Sequence, residues 1–156
     1  MNPYDTIGTT RLSTSVHDRL CRLVIGYQDA EAERGIAGRR TGLESPRLLA
    51  DAVALTRATR ERDDLRQGSS VRGAIDLALI AAQLAAIRDV QLPAEPSVAP
   101  PRGLPEEYTD IVLDAMLLAL SGRVFLDETL ETTPETVLRE IWQDHFLLHP
   151  AAAEPG

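Results

Sequence analysis

Apolar residues recur at helical spacing from about residue 29 onward, and this pattern predicts a series of helices. A helix over about 46–60 begins with Ser45 as its cap and Pro46 in its first turn. Another, over 70–88, is rich in alanine and leucine on nearly every side, which predicts a position at the centre of a bundle. The inward face of the 46–60 helix consists of Leu48, Leu49, Ala52, Val53 and Leu55.

Capping residues mark three further helices. Asp29 opens a short helix that the glycines of 35–42 weaken and end. A helix begins at Pro105, with two glutamates at the positive end of its dipole, and stops near Gly122. The last helix opens at Thr133. Its inward stripe consists of Leu138, Ile141, Trp142, His145 and Phe146.

Three segments depart from this helical pattern. Residues 20–25 are mostly apolar and include β-branched side chains, which predicts a buried strand. Residues 91–103 contain four prolines, so they form either a flexible insertion or an extended strap across the surface. The tail 150–156 is expected to be disordered. The chain is therefore predicted to be mostly α, with a short segment 1–28 and a bundle of four or five helices over 29–149.

Composition narrows the range of functions. With 156 residues and 44% apolar side chains, the chain has the length and the core of one domain. A formal net charge of −8 and an aromatic content of 4% argue against nucleic-acid binding. Cys21 is the only cysteine, and the longest apolar run, 77–87, is too short to span a bilayer. These features predict a cytoplasmic protein with neither nucleic-acid nor membrane partners.

Three short motifs follow one another along the chain: Asn2-Pro3, Asp18-Arg19, and Ser70-Val71-Arg72-Gly73-Ala74-Ile75. In their order and spacing, residues 1–125 resemble the MoxR-type AAA+ ATPases and, more distantly, the magnesium-chelatase ATPase subunits. The resemblance implies that 1–28 is a remnant of an α/β ATPase core and that 29–149 is its helical lid. It further implies a ring of identical subunits that uses ATP and Mg²⁺ to remodel partner proteins. Such ATPases are commonly associated with proteins that contain a von Willebrand factor A domain.

The resemblance gives one residue of each motif a role at the nucleotide. Asn2 matches the first sensor, which orients the attacking water, and Arg19 matches the arginine finger that reaches the next subunit. Arg72 matches the second sensor, at a helix start whose free N–H groups and dipole favour phosphate. Read without the resemblance, Arg19 forms a surface pair with Asp18, and Arg72 is solvated or paired with Asp76 at i+4.

The sequence lacks the residues that hold a nucleotide. All 16 basic residues are arginine, whereas a P-loop requires a lysine that reaches the β- and γ-phosphates. Met1 is therefore expected to fall inside the ATPase core, and the isolated chain is expected to bind no cofactor and to be inactive. Two alternatives remain: a free-standing helical interaction or dimerisation module without nucleotide, and a subunit of a chelatase.

Two other patterns carry less information. His17 with Cys21, and His145 with His149, have the i,i+4 spacing of metal ligands, but a zinc site needs a third ligand, so no metal site is predicted. The arginine-rich stretch 57–66 is interpreted either as a solvated helix end or as part of a subunit interface.

Overall fold

The computed structural model describes residues 23, 25–94, 104–127, 129 and 131–147. Five helices account for most of these residues, which confirms the prediction of a mostly α protein. They are α1 (Ala30–Thr41), α2 (Pro46–Ala58), α3 (Val71–Arg88), α4 (Glu106–Leu120) and α5 (Pro134–Phe146). Two short antiparallel strands accompany them, β1 (Leu65–Gln67) and β2 (Phe125–Leu126).

Three helices begin where their capping residues predict. The side chain of Asp29 accepts a hydrogen bond from the amide of Ala32 at 2.7 Å, and Ser45 and Thr133 cap α2 and α5 in the same way. Gly42 ends α1 with a φ of 67°, a conformation that glycine adopts without strain. The glycines at positions 35 and 38 lie inside α1, so they do not end it as predicted.

Helix α3 lies at the centre of the bundle, as its composition predicts, and packs against α1, α2 and α4. Its buried face is built mainly from alanines, and these small side chains allow the neighbouring helices to approach closely. The largest side chains of the core come from the surrounding helices and from Leu77 of α3. They include Leu48, Leu55, Tyr108, Ile111, Met116 and Leu138.

The sequence predicts neither strand: β1 begins in the stretch 57–66, which is interpreted as a helix end or part of an interface, and no element is predicted between Gly122 and Thr133. Leu65 pairs with Leu126, and Gln67 pairs with Phe125. Strands of two or three residues are too short to show an alternating pattern in the sequence. This small sheet ties the connection between α2 and α3 to the chain that follows α4.

The predicted buried strand over 20–25 does not form at Leu23 and Ile25, the two of its residues that the structure describes. Both lie outside any strand and expose 81% and 76% of their surface. An apolar segment can form a strand only when another strand is available to pair with it. Asn2, Arg19 and the tail 150–156 lie outside the described residues.

The structure describes only the start of the proline-rich segment, residues 91–94. Residues 91–94 are not helical, Leu92 packs against the core, and the hydroxyl of Ser45 donates a hydrogen bond to the carbonyl oxygen of Pro93 at 2.8 Å. Ser45 thus caps α2 and also holds the start of this segment, while the rest of the segment lies outside the described part. None of the helices in the described ranges combines the length and the apolar character needed to cross a bilayer.

Candidate functional site at the start of helix α3

A tight loop over residues 68–70 positions the start of α3. Gly68 lies so close to the end of α2 that a Cβ atom there would stand 2.4 Å from the carbonyl oxygen of Thr59. The amide of Ser69 donates to the hydroxyl of Thr59 at 2.9 Å, and Nε of Arg60 donates to the carbonyl oxygen of Ser69 at 2.6 Å. The first turn of α3 is therefore held rigidly against the end of α2.

Arg72 stands in this first turn, and its side chain is exposed. The predicted alternative of an ion pair with Asp76 does not form, since the Asp76 carboxylate pairs with Arg123 instead. Within the part of the chain that the structure describes, the Arg72 guanidinium makes no hydrogen bond or ion pair. The side chain of Ser70, the N-cap residue, does not cap the helix. Arg72 is thus available to an anion at the positive end of an 18-residue helix.

A buried carboxylate behind this loop binds two arginines. Glu33 of α1 is 2% exposed, and its two oxygens accept from Arg60 at 2.8 Å and from Arg57 at 3.3 Å. The Arg60 guanidinium also lies 4.0 Å from the centroid of the Tyr27 ring, and Arg57 donates to the carbonyl oxygen of Gln28 at 2.9 Å. These contacts join α1, the end of α2 and the segment that leads into α1.

The stretch 57–66 is therefore not simply a solvated helix end. Arg57 and Arg60 donate hydrogen bonds to the buried Glu33. Arg62 binds Asp64 through two nitrogens, at 3.0 and 2.6 Å, and also binds Glu140 of α5. The Arg62 guanidinium lowers the pKa of the Asp64 carboxyl because it stabilises the charged form. The described residues do not test the alternative interpretation as a subunit interface.

A second polar cluster is buried between α2, α4 and α5. Oδ2 of Asp51 accepts from Nε of Arg47 and from the hydroxyl of Tyr108, each at 2.8 Å. Oδ1 of the same carboxylate lies 2.9 Å from Nε2 of His145. Asp51 is 2% exposed and Tyr108 is fully buried. Burial, together with the adjacent Asp51 charge, raises the pKa of the Tyr108 hydroxyl far above its ordinary value.

This cluster has no obvious reacting partner. No serine or cysteine takes part in the described contacts of His145, which also packs edge-on against Phe146. In the described ranges, no group of three or more histidine, cysteine or acidic side chains has a geometry suited to a metal ion. The contacts of the cluster connect α2, α4 and α5, so its geometry supports a structural role.

The sequence singles out Arg72, which lies exposed in the first turn of α3, and predicts His145 on the inward stripe of the last helix, but it does not predict the partners of His145. Asp51 was not singled out from the α2 pattern, although a charged residue four positions after Arg47 in an apolar helix is a usable signal. Glu33 gave no such signal, because α1 is polar overall. Comparison with protein-family models, with curated proteins and with solved structures finds no match.

Proposed function

We propose that this chain is the C-terminal part of a MoxR-type AAA+ ATPase, and that its bundle is the lid that closes over ATP and Mg²⁺ held by a P-loop core. In the proposed assembly, identical subunits form a ring and couple ATP hydrolysis to the remodelling or maturation of partner proteins. A protein with a von Willebrand factor A domain is the proposed partner. Arg72 would contact the nucleotide of its own subunit, whereas Arg19 and Asn2 would act at the γ-phosphate.

The observation that carries this proposal is the environment of Arg72. It is an exposed arginine in the first turn of a long central helix, and neither Asp76 nor a side-chain cap at Ser70 competes for the position. The loop behind it is fixed by Thr59 and Arg60, so the backbone at the start of α3 needs little reordering when a phosphate binds.

A supporting observation is the apolar segment before α1. Leu23, Ile25 and Tyr27 expose 81%, 76% and 64% of their surfaces. The sequence is continuously apolar over residues 23–25, and a short apolar run that includes β-branched side chains is typical of a buried strand. In the proposed ATPase this segment is the last strand of the core sheet, which would cover these side chains.

The first experiment is to sequence the genomic DNA upstream of Met1. A reading frame that continues upstream into a P-loop supports the proposal. An in-frame stop codon immediately upstream contradicts it and would leave the interaction module as the working hypothesis. The isolated chain is expected to show no ATP turnover, because it has no lysine to bind the phosphates.

The second experiment uses the longer protein, if the reading frame continues. Arg72→Ala is expected to lower its ATP turnover about 100-fold, the usual effect of removing a group that stabilises charge in a transition state. Arg139→Ala is the matched control, since Arg139 is an exposed arginine on α5. Equal turnover in the two variants would refute the assignment of Arg72.

A further inference from the structure

Helices α3 and α4 share an outer face on which apolar side chains remain uncovered. Leu118 of α4 is 69% exposed, Ile87 of α3 is 78% exposed, and Leu79 of α3 is 38% exposed. Leu79 and Leu118 line an open groove of about 450 Å³ between the two helices. We call this surface the α3–α4 face. Large exposed apolar side chains that cluster on one face are typical of an interaction site.

Two ion pairs border the α3–α4 face. Asp76 of α3 pairs with Arg123, which follows α4, and Arg88 at the end of α3 pairs with Asp114 of α4 at 2.6 Å. All four side chains are between 39% and 45% exposed, so each retains surface for a second partner. On the α3 side, Asp76 lies at one end of the face and Arg88 at the other. On the α4 side, the charges are reversed, because Arg123 lies beside Asp76 and Asp114 lies beside Arg88.

We propose that the α3–α4 face binds the same face of a second copy of this chain, so that the protein forms a two-fold dimer. The proposed two-fold axis lies in the plane of the interface and runs across the two helices, so that the start of α3 faces the end of α3 in the second copy. Asp76 then lies opposite Arg88 of the second copy, and Asp114 lies opposite Arg123 of the second copy. Every charge at the border would then meet its opposite. An isologous interface requires this kind of self-complementary surface.

The charge at the border of the α3–α4 face favours a second copy of this chain over a strongly charged partner. The chain as a whole carries a formal charge of −8, so two copies repel each other over most of their surfaces. The border of the α3–α4 face carries two acids and two bases and is neutral, so it allows a close approach. A strongly acidic or strongly basic partner, nucleic acid included, would place like charges opposite two of these four side chains, which disfavours it. The proposal does not rest on the ATPase assignment, and its variants leave Arg72 in place.

The test is the molar mass of the full chain, measured by sedimentation equilibrium from about 1 to 500 µM. The expected result is a reversible monomer–dimer equilibrium. Leu118→Glu is expected to raise the dimer Kd at least about tenfold, because it places two like charges in the apolar centre of the dimer. Leu147→Glu is the matched control, since Leu147 is similarly exposed, at 64%, at the end of α5. It is expected to dimerise like the wild-type chain.

A charge-swap series tests the arrangement. Asp76→Arg and Arg88→Asp are each expected to weaken the dimer, and the variant carrying both is expected to recover it. Only contacts between copies can produce this recovery: the two residues are 12 positions apart on α3, about 18 Å, and the double variant leaves both internal pairs broken. A monomer at every concentration, or a Leu118→Glu variant that dimerises like the wild-type chain, would overturn the proposal. A dimer without this recovery would overturn the proposed orientation.

Discussion

Replacing Asp51 with asparagine tests how strongly the buried polar cluster holds the bundle together. The asparagine has almost the same shape as the aspartate, so the packing around it is kept. Its amide oxygen can still accept from Arg47 and Tyr108, but the negative charge opposite the Arg47 guanidinium is lost. The side chain of Arg47 is only 7% exposed, so the ion pair with Asp51 is largely shielded from water.

The expected cost follows from this geometry. Removing one partner of a buried ion pair costs about 3–5 kcal/mol, and the amide keeps part of the hydrogen bonding, so we expect a loss of about 3 kcal/mol. A domain of this size has a total stability of about 5–15 kcal/mol. The variant is therefore expected to fold but to be much less stable.

Urea unfolding monitored by tryptophan fluorescence measures this loss. Trp142 is the only tryptophan, and its Nε1 donates to the carbonyl oxygen of Thr109 at 2.9 Å, so its emission reports on the packing of α5 against α4. With an m-value of about 1.5–2 kcal/mol per molar urea, a loss of about 3 kcal/mol lowers the unfolding midpoint by about 1.5–2 M. Asp110→Asn, on the exposed side of α4, is expected to change stability by less than about 0.5 kcal/mol.

An Asp51→Asn variant within about 0.5 kcal/mol of the wild-type chain would refute this reasoning. A double-mutant cycle with Tyr108→Phe gives an independent check, since the Tyr108 hydroxyl donates to the same carboxylate oxygen. Residues in direct contact are expected to show a coupling energy of about 0.5–3 kcal/mol. Additive effects would mean that the negative charge of Asp51 does not strengthen its hydrogen bond with the Tyr108 hydroxyl.

Two further predictions concern single residues. Because the pKa of Tyr108 is raised in the folded state, the folded chain keeps a proton that the unfolded chain loses above about pH 10. The free energy of unfolding should therefore fall by up to about 1.4 kcal/mol per pH unit above that value. Tyr108→Phe should remove this slope, as measured by urea titrations between about pH 9 and 11. Gly68→Ala is expected to cost about 2–3 kcal/mol, because its Cβ would stand 2.4 Å from the Thr59 carbonyl oxygen. Gly122→Ala is the control, with nothing within 4 Å of its Cβ, and a thermal melt in which both variants behaved alike would contradict the prediction.

The helices could be predicted from the sequence because their signals are local. Asp29, Ser45 and Thr133 act on amides within three residues of themselves, so their role can be read from adjacent positions. The buried polar contacts could not be predicted in this way. Asp51 meets Tyr108 across 57 positions and His145 across 94, and no local pattern specifies such a distant pairing. The start of α3 lies between these cases: the position of the helix start could be predicted from the local sequence, but the contacts of Ser69 with Thr59 and Arg60 could not.

Helix α2 takes part in both buried polar clusters. The residues of these clusters are different from the residues of the proposed dimer interface. At its C-terminal end, Arg57 and Arg60 bind Glu33 of α1, while nearer its N-terminal end Asp51 binds side chains of α4 and α5. Buried charges contribute little net stability, but they restrict which packing satisfies every partner. None of these four residues lies on the α3–α4 face. Leu118→Glu, which breaks no internal contact pair, should therefore change association with little effect on the unfolding of the monomer, whereas variants of the two clusters should change unfolding first.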